Sequence, residues 1–283
     1  MATIDRGGAR IHYQAAGHGP AVLLIQGVGL VGEGWRPQIE GLRDRFTLVA
    51  PDNRGIGRSV APAGRLTIED MATDALAVMD AMGAERFHLA GHSMGGIIAQ
   101  EVALRAPARV RSLALLCTFA RGSQGSKLTP ALLIAAIRMR IGTRRMRRHA
   151  FLELVMPSAY LRGQDTDRLA EDLRPLFGHD LAEQPSIAMR QLRAMARYDS
   201  SGRLAALGGI PTLVVAASGD RIAVPAYGRA LTAAIPGARY VEIGDAGHGV
   251  TIQRADEVNG LLASHFLAAD GASSGAAISS AWL

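Results

Sequence analysis

Gly91-His92-Ser93-Met94-Gly95 sets a serine between two glycines, behind the strand-like run Arg86 to Ala90 and ahead of the helical pattern Ile97 to Arg105. A serine at the apex of a strand, a tight turn and a helix is a nucleophile elbow, in which the turn lifts the hydroxyl above the sheet edge. A Cβ at position 91 or 95 would collide where the strand folds back into the helix, so glycine suits both places. The pentapeptide alone is weak, because a chain with 33 glycines produces it by chance. The strand before it and the helix after it, which ends at Pro107, make it specific.

A serine hydroxyl is a poor nucleophile until a base takes its proton. Among the 8 histidines, His12 falls in an alternating early strand, His88 in the strand feeding the elbow, and His149 in an arginine-rich helix. His248 differs, because it sits in the glycine loop Gly244 to Gly249 after the strand-like Arg239 to Ile243. Open α/β sheets keep their sites in such loops, at the carboxyl ends of strands. The chain order nucleophile, acid, histidine then asks for a carboxylate between 93 and 248. Asp220 supplies it at the end of the apolar strand beginning at Pro211. Asp245 competes, but a carboxylate three residues from His248 along a glycine loop reaches the imidazole poorly. His92 is expected to leave the turn on the side away from the pocket. Asp52 and Arg54 have the composition of an acid–base pair, although a turn and ion-pair role in their loop is the plainer reading.

Six segments in order carry a resemblance to α/β-hydrolase-fold enzymes: Leu23 to Gly29 with Trp35 and Gln38, Pro51 to Ser59, Gly91 to Gly96, Pro211 to Val215, Gly219-Asp220 and Gly247-His248. The chain looks most similar to small-molecule carboxylesterases and enol-lactonases with a helical cap. The resemblance implies Ser93 as nucleophile, His248 as general base and later acid, and Asp220 as the residue orienting His248. It implies an oxyanion hole from the backbone N–H groups of Val28 and Met94. Gln26, Gly27, Trp35 and Val250 would lie against the substrate. Many relatives begin the oxyanion loop with His-Gly, where this chain has Gln26-Gly27. Relatives that open epoxides or displace halide attack with aspartate, so Ser93 in that place disfavours both activities. The implied reaction is hydrolysis of a small ester or lactone through an acyl-enzyme. Hydrolysis of a C–C bond α to a carbonyl, acyl transfer on the same triad, and a slow-turnover ligand receptor are the alternatives.

The elements that must position these residues alternate as strand and helix up to a strand near 110–117, then resume at Pro211. Between them, residues 119–199 carry helical patterns only. The expected fold is a mostly parallel sheet with helices on both faces, formed by 1–118 and 200–269, with a helical cap at 119–199. A last helix is expected near 249–269, and residues 270–283, rich in Gly, Ala and Ser, read as a flexible tail. A subset of the insertion's apolar residues, drawn from Leu132, Leu133, Ile137, Met139, Phe151, Leu154, Met156, Leu176 and Phe177, should line an apolar pocket over Ser93.

Composition fits a small-molecule enzyme. At 283 residues the chain can bury a full core. Its one cysteine, Cys117, falls in a buried strand pattern and excludes an intramolecular disulfide. The lack of a long apolar run or a basic-then-apolar start makes a cytoplasmic location the default. The net charge of +6 comes from arginine, with Lys127 the sole lysine. Arg138, Arg140, Arg144, Arg145, Arg147 and Arg148 form the densest cluster, read as a solvated helix face or as a rim for an anionic substrate or carrier protein. No aromatic interleaving accompanies it, so nucleic acid is not an expected partner. The sequence is compatible with a homodimer. No metal-ligand spacing and no dinucleotide-binding glycine motif occurs, so neither metal nor cofactor is expected.

Overall fold

The computed structural model describes residues 2–125 and 129–279, with side chains to residue 272; Lys127 lies outside these. Eight strands form one sheet: β1 Ala2–Arg6, β2 Ala9–Gly17, β3 Ala21–Ile25, β4 Thr47–Pro51, β5 Phe87–His92, β6 Val110–Leu116, β7 Thr212–Ala217 and β8 Arg239–Ile243. Their order is β1-β2-β4-β3-β5-β6-β7-β8. β2 runs antiparallel to both its neighbours, and every pair from β4 through β8 is parallel. The order explains the burial pattern: β5 and β7 are buried at every position, as strands covered on both faces must be. β1, at the edge, is exposed along most of its length.

The helices are α1 Arg36–Leu42, α2 Ile68–Ala81, α3 Met94–Arg105, α4 Gly122–Gly125, α5 Pro130–Arg138, α6 Arg144–Val155, α7 Ser158–Leu161, α8 Thr166–Phe177, α9 Ala188–Ala196, α10 Pro225–Ala234, α11 Val250–Gln253 and α12 Ala255–Ser279. α4 to α9 form the insertion between β6 and β7. It has a core of its own, in which Leu152, Leu161, Leu173 and Phe177 pack together. Thr129, Thr143 and Asp165 cap α5, α6 and α8 with side-chain oxygens on first-turn N–H groups, which sets where each begins.

The carboxyl end differs from the sequence reading. The expected helix at 249–269 is two helices, with a break at Arg254, and α12 runs on to Ser279. The stretch expected to leave the helix at 270 contains alanines at 272, 276 and 277 and no proline, so nothing in it stops a helix already under way. Residues 280–283 lie outside the described residues.

Candidate active site

Ser93 stands between β5 and α3, with φ 56° and ψ −121°, outside the backbone conformations that residues with a side chain ordinarily adopt. Its neighbours enforce this. The Ser93 N–H donates to the Leu116 carbonyl at 3.0 Å, and the Thr118 hydroxyl donates to the Ser93 carbonyl at 2.7 Å. The flanking glycines are required by space. A Cβ on Gly91 would stand 2.2 Å from the Gly95 carbonyl oxygen, and one on Gly95 would stand 2.0 Å from that of Ile25.

The loop after β8 brings His248 to this serine. Its Nε2 lies 3.0 Å from Ser93 Oγ, and its Nδ1 lies 2.7 Å from Asp220 Oδ2. A carboxylate beside Nδ1 makes that nitrogen the N–H donor, which leaves Nε2 bare to receive the serine proton. Burial by itself would raise the Asp220 pKa. The adjacent His248, together with the N–H groups of Ile222 and Ala223, outweighs it and holds the carboxyl below its ordinary value. Asp245 is exposed on the same loop as His248, with φ 49°, and Asp220 holds the place at Nδ1.

Met94 follows Ser93 directly in the chain, and Val28 lines the cavity above it. Met94 is the first residue of α3, where N–H groups lack intrahelical acceptors and the helix dipole favours negative charge. Val28 lies in the loop after β3, and among the described residues its N–H makes no hydrogen bond. The loop is fixed by its neighbours. Gln26 Oε1 accepts from the Gly27 N–H at 3.2 Å, Asn53 Nδ2 donates to the Gln26 carbonyl at 2.9 Å, and the Gly29 N–H donates to Gln191 Oε1 at 2.8 Å. Gln191 comes from α9 in the insertion; no sequence signal singled it out.

A cavity of about 490 Å³ opens over Ser93. Gln26, Gly27, Val28 and His248 line it, and the insertion contributes Leu132, Met139, Phe151, Leu154 and Phe177. Arg193 is the one arginine or carboxylate residue among its described lining. Three expectations are corrected, those for Trp35, Val250 and His92. Trp35 and Val250 are wholly buried in the sheet domain's core instead of lining the cavity; Gly249, Thr251 and Ile252 face it instead of Val250. Proximity along the chain does not fix direction: the first turn of α11 turns Val250 inward. Of the apolar insertion residues from which a lining subset was expected, Leu132, Met139, Phe151, Leu154 and Phe177 form that subset; Leu133 and Ile137 are exposed, and Met156 and Leu176 pack inside the insertion.

The third correction is His92, which lines the cavity and does not point away. Its ring packs against that of His248 with centroids 4.9 Å apart, and Nε2 donates to the His248 carbonyl at 2.8 Å. Burial, then the charge of His248, pushes its pKa down to about 3. Cys117, just past β6 with φ 45°, is also nearer the site than its core reading implied. Burial first, then Asp220, pushes its thiol pKa well up, so it stays protonated. His92, Cys117 and His248 offer ligand atoms within 4.8 Å of one another, a grouping the sequence spacing did not suggest. Both ring nitrogens of His248 are already engaged by Ser93 and Asp220, so this cluster in its present form does not present a metal site.

Asp52 and Arg54 do not pair with each other. Asp52 accepts from the Gly32 N–H at 2.7 Å and the Arg58 N–H at 3.1 Å, and Arg54 forms a buried, two-point ion pair with Asp74 on α2.

Sheet order, serine elbow and helical insertion define the α/β-hydrolase class. The chain belongs to that family: the family profile described as alpha/beta hydrolase fold matches residues 20–255. It is 33% identical over 269 residues to "Putative carbamate hydrolase RutD" of Azorhizobium caulinodans, covering 90% of this chain and 94% of that one. Its structure is similar to the enol-lactonase from Burkholderia xenovorans LB400, with TM-score 0.78, 28% identity and coverage of 94% and 100% of the two chains. It is likewise similar to a thermophilic esterase from Thermogutta terrifontis, with TM-score 0.77, 27% identity and coverage of 94% and 97%. Among the described residues no helix is long and apolar enough to cross a membrane.

Proposed function

We propose that this protein is a serine hydrolase that cleaves a small, largely apolar carboxylic ester or lactone through an acyl-enzyme. The observation that carries the reading is the Ser93–His248–Asp220 relay at the base of an apolar cavity. Ser93 Oγ attacks the carbonyl carbon as its proton passes to His248 Nε2, and Asp220 stabilises the imidazolium that forms. The negative charge on the carbonyl oxygen is met by the N–H groups of Val28 and Met94; one such donor supplies about 2.7–4 kcal/mol in comparable sites. The intermediate collapses, and His248 returns the proton to the departing alkoxide. Water then enters, His248 takes its proton, and the acyl group leaves as a carboxylic acid with Ser93 restored. For a lactone the alkoxide stays tethered, and the product is a hydroxy acid.

The same steps cleave a carbamate, the group in the name of the Azorhizobium relative, so the substrate panel holds esters, lactones and carbamates. A fluorophosphonate probe should label the wild type and neither Ser93→Ala nor His248→Ala. Turnover of the best substrate should fall by at least about 10⁴-fold in Ser93→Ala with the fold unchanged by circular dichroism. A folded wild type that takes no label, or a Ser93→Ala variant with undiminished turnover, refutes the proposal.

A further inference from the structure

The insertion carries a surface feature that hydrolysis at Ser93 does not use. α5 has no buried residue along its nine positions. Leu133, Ile134 and Ile137 are 48%, 58% and 48% exposed, and Ile141, one turn on, is 68% exposed. Positions 133, 134, 137 and 141 share one face of a helical path, while Leu132, Ala136 and Met139 face the cavity. Single exposed aliphatic residues are ordinary, but a contiguous stripe marks a contact surface.

Charge selects what meets it. From Pro130 to Arg148 the chain has six arginines and no carboxylate. Arg138 and Arg145 pair with Glu153 and Asp167 of neighbouring helices, and Arg144 and Arg148 share Asp180 and Glu171. Arg140, between Ile137 and Ile141, has no carboxylate partner among the described residues; its nearest polar contact is Met189 Sδ at 4.0 Å. An aliphatic stripe with arginines at its margin is the composition of helices that lie in the interface of an anionic bilayer. A two-fold dimer through this face would set the arginines of one copy against those of the other. A protein partner's anchor residues need apolar pockets, and the cleft beside the stripe is walled by Arg138, Arg145 and His149 as well as by Ile141 and Met146.

We propose that the outer face of α5, continued through Ile141, docks on an anionic lipid surface. Docking places one wall of the cavity against the bilayer. It does not depend on the chemistry of Ser93, and its test reads binding instead of turnover.

The full chain is sedimented with phosphatidylcholine vesicles and with vesicles in which about a third of the lipid is phosphatidylglycerol, where each arginine near the surface contributes roughly fivefold in partitioning. The wild type should pellet with the anionic vesicles only and be released as salt shortens the screening length. Arg140→Gln should bind roughly fivefold more weakly, and Ile134→Ser/Ile141→Ser at least about tenfold more weakly. Both variants should keep wild-type turnover of a water-soluble ester, which shows that they fold. Equal pelleting with the two vesicle types, or wild-type binding retained in the double serine variant, overturns the proposal. So does a wild-type dimer in analytical ultracentrifugation that the double variant splits, with no vesicle binding by either; that result would make this face a contact between copies.

Discussion

His92 offers a quantitative check on how the site is held. Its Nε2 donates to the His248 carbonyl, and Nδ1 is buried with no partner among the described residues. A neutral ring needs only a lone pair at Nδ1, whereas a protonated ring would bury an unpaired N–H there. Folding therefore shifts the pKa from 6.5 to about 3. The unfolded chain binds the proton below about pH 6.5 and the folded one only below about pH 3, so the unfolded state holds more protons across that window and stability falls as pH drops through it. Between about pH 7 and pH 5 the loss is roughly 2 kcal/mol, and each further unit down to about pH 3 removes about 1.4 kcal/mol more. His92→Gln keeps a donor for the His248 carbonyl and cannot titrate. Urea unfolding of both proteins at these two pH values should show the wild type losing roughly 2 kcal/mol more than the variant. His265, pushed down to about 4 by burial, contributes with the same sign to both proteins and cancels in the difference. Asp220, held below its ordinary value, titrates under this window. Equal losses in the two proteins would refute the argument that His92 is kept neutral by its burial beside His248.

Two more perturbations test the scaffold around the site. Gln191→Leu leaves the buried Gly29 N–H without its acceptor; stability should fall by about 1–3 kcal/mol, and kcat/KM for the best ester should fall with it, whereas unchanged kinetics would make Gln191 a space-filler. Asp74→Asn leaves the Arg54 guanidinium, whose side chain is 7% exposed, with only the more distant, half-exposed Asp70 at 3.9 Å; the expected loss in urea unfolding is about 3–5 kcal/mol, and a loss under about 1 kcal/mol would mean that Asp70 or solvent compensates the charge.

Features of the sheet domain that depend on local periodicity or on glycine could be read from the chain. The elbow is the clearest case, because a Cβ at Gly91 would fall 2.2 Å from the Gly95 carbonyl oxygen and one at Gly95 2.0 Å from that of Ile25. Asp220 was findable because it follows an apolar strand run, and His248 because it sits in a glycine loop after a strand-like one; adjacent parallel strands bring their ends together. Directions of side chains were not legible. His92 alternates with its strand neighbours, yet the sharp turn at Ser93 swings it beneath His248. Trp35 ends a one-turn 3₁₀ helix, Gly32–Trp35, whose path packs the ring into the core. Gln191 left no signal, because an amide on an amphipathic helix is ordinary until another loop presents an N–H to it.

The insertion is joined to the reacting groups by backbone bonds as well as by the cavity wall. On one side α9 holds the Gly29 N–H through Gln191. On the other, the Val155 carbonyl at the end of α6 accepts from the Gly249 N–H at 2.8 Å, next to His248. Arg190 reaches the Pro62 and Gly64 carbonyls at 2.8 Å each, which ties α9 to the loop before α2. Two of these bonds end within one residue of Val28 and His248, the proposed oxyanion donor and base. A change in the insertion that enlarges the cavity but displaces α6 or α9 would move the loops that carry those groups. A displacement of 1 Å can cost about 100-fold in rate. Substrate range and catalytic geometry are therefore coupled through Val155 and Gln191. Substitutions confined to Leu132, Leu154 or Phe177, which line the cavity and are not among the residues hydrogen-bonded to either loop, are the ones that can alter acyl-group preference while leaving the relay in place.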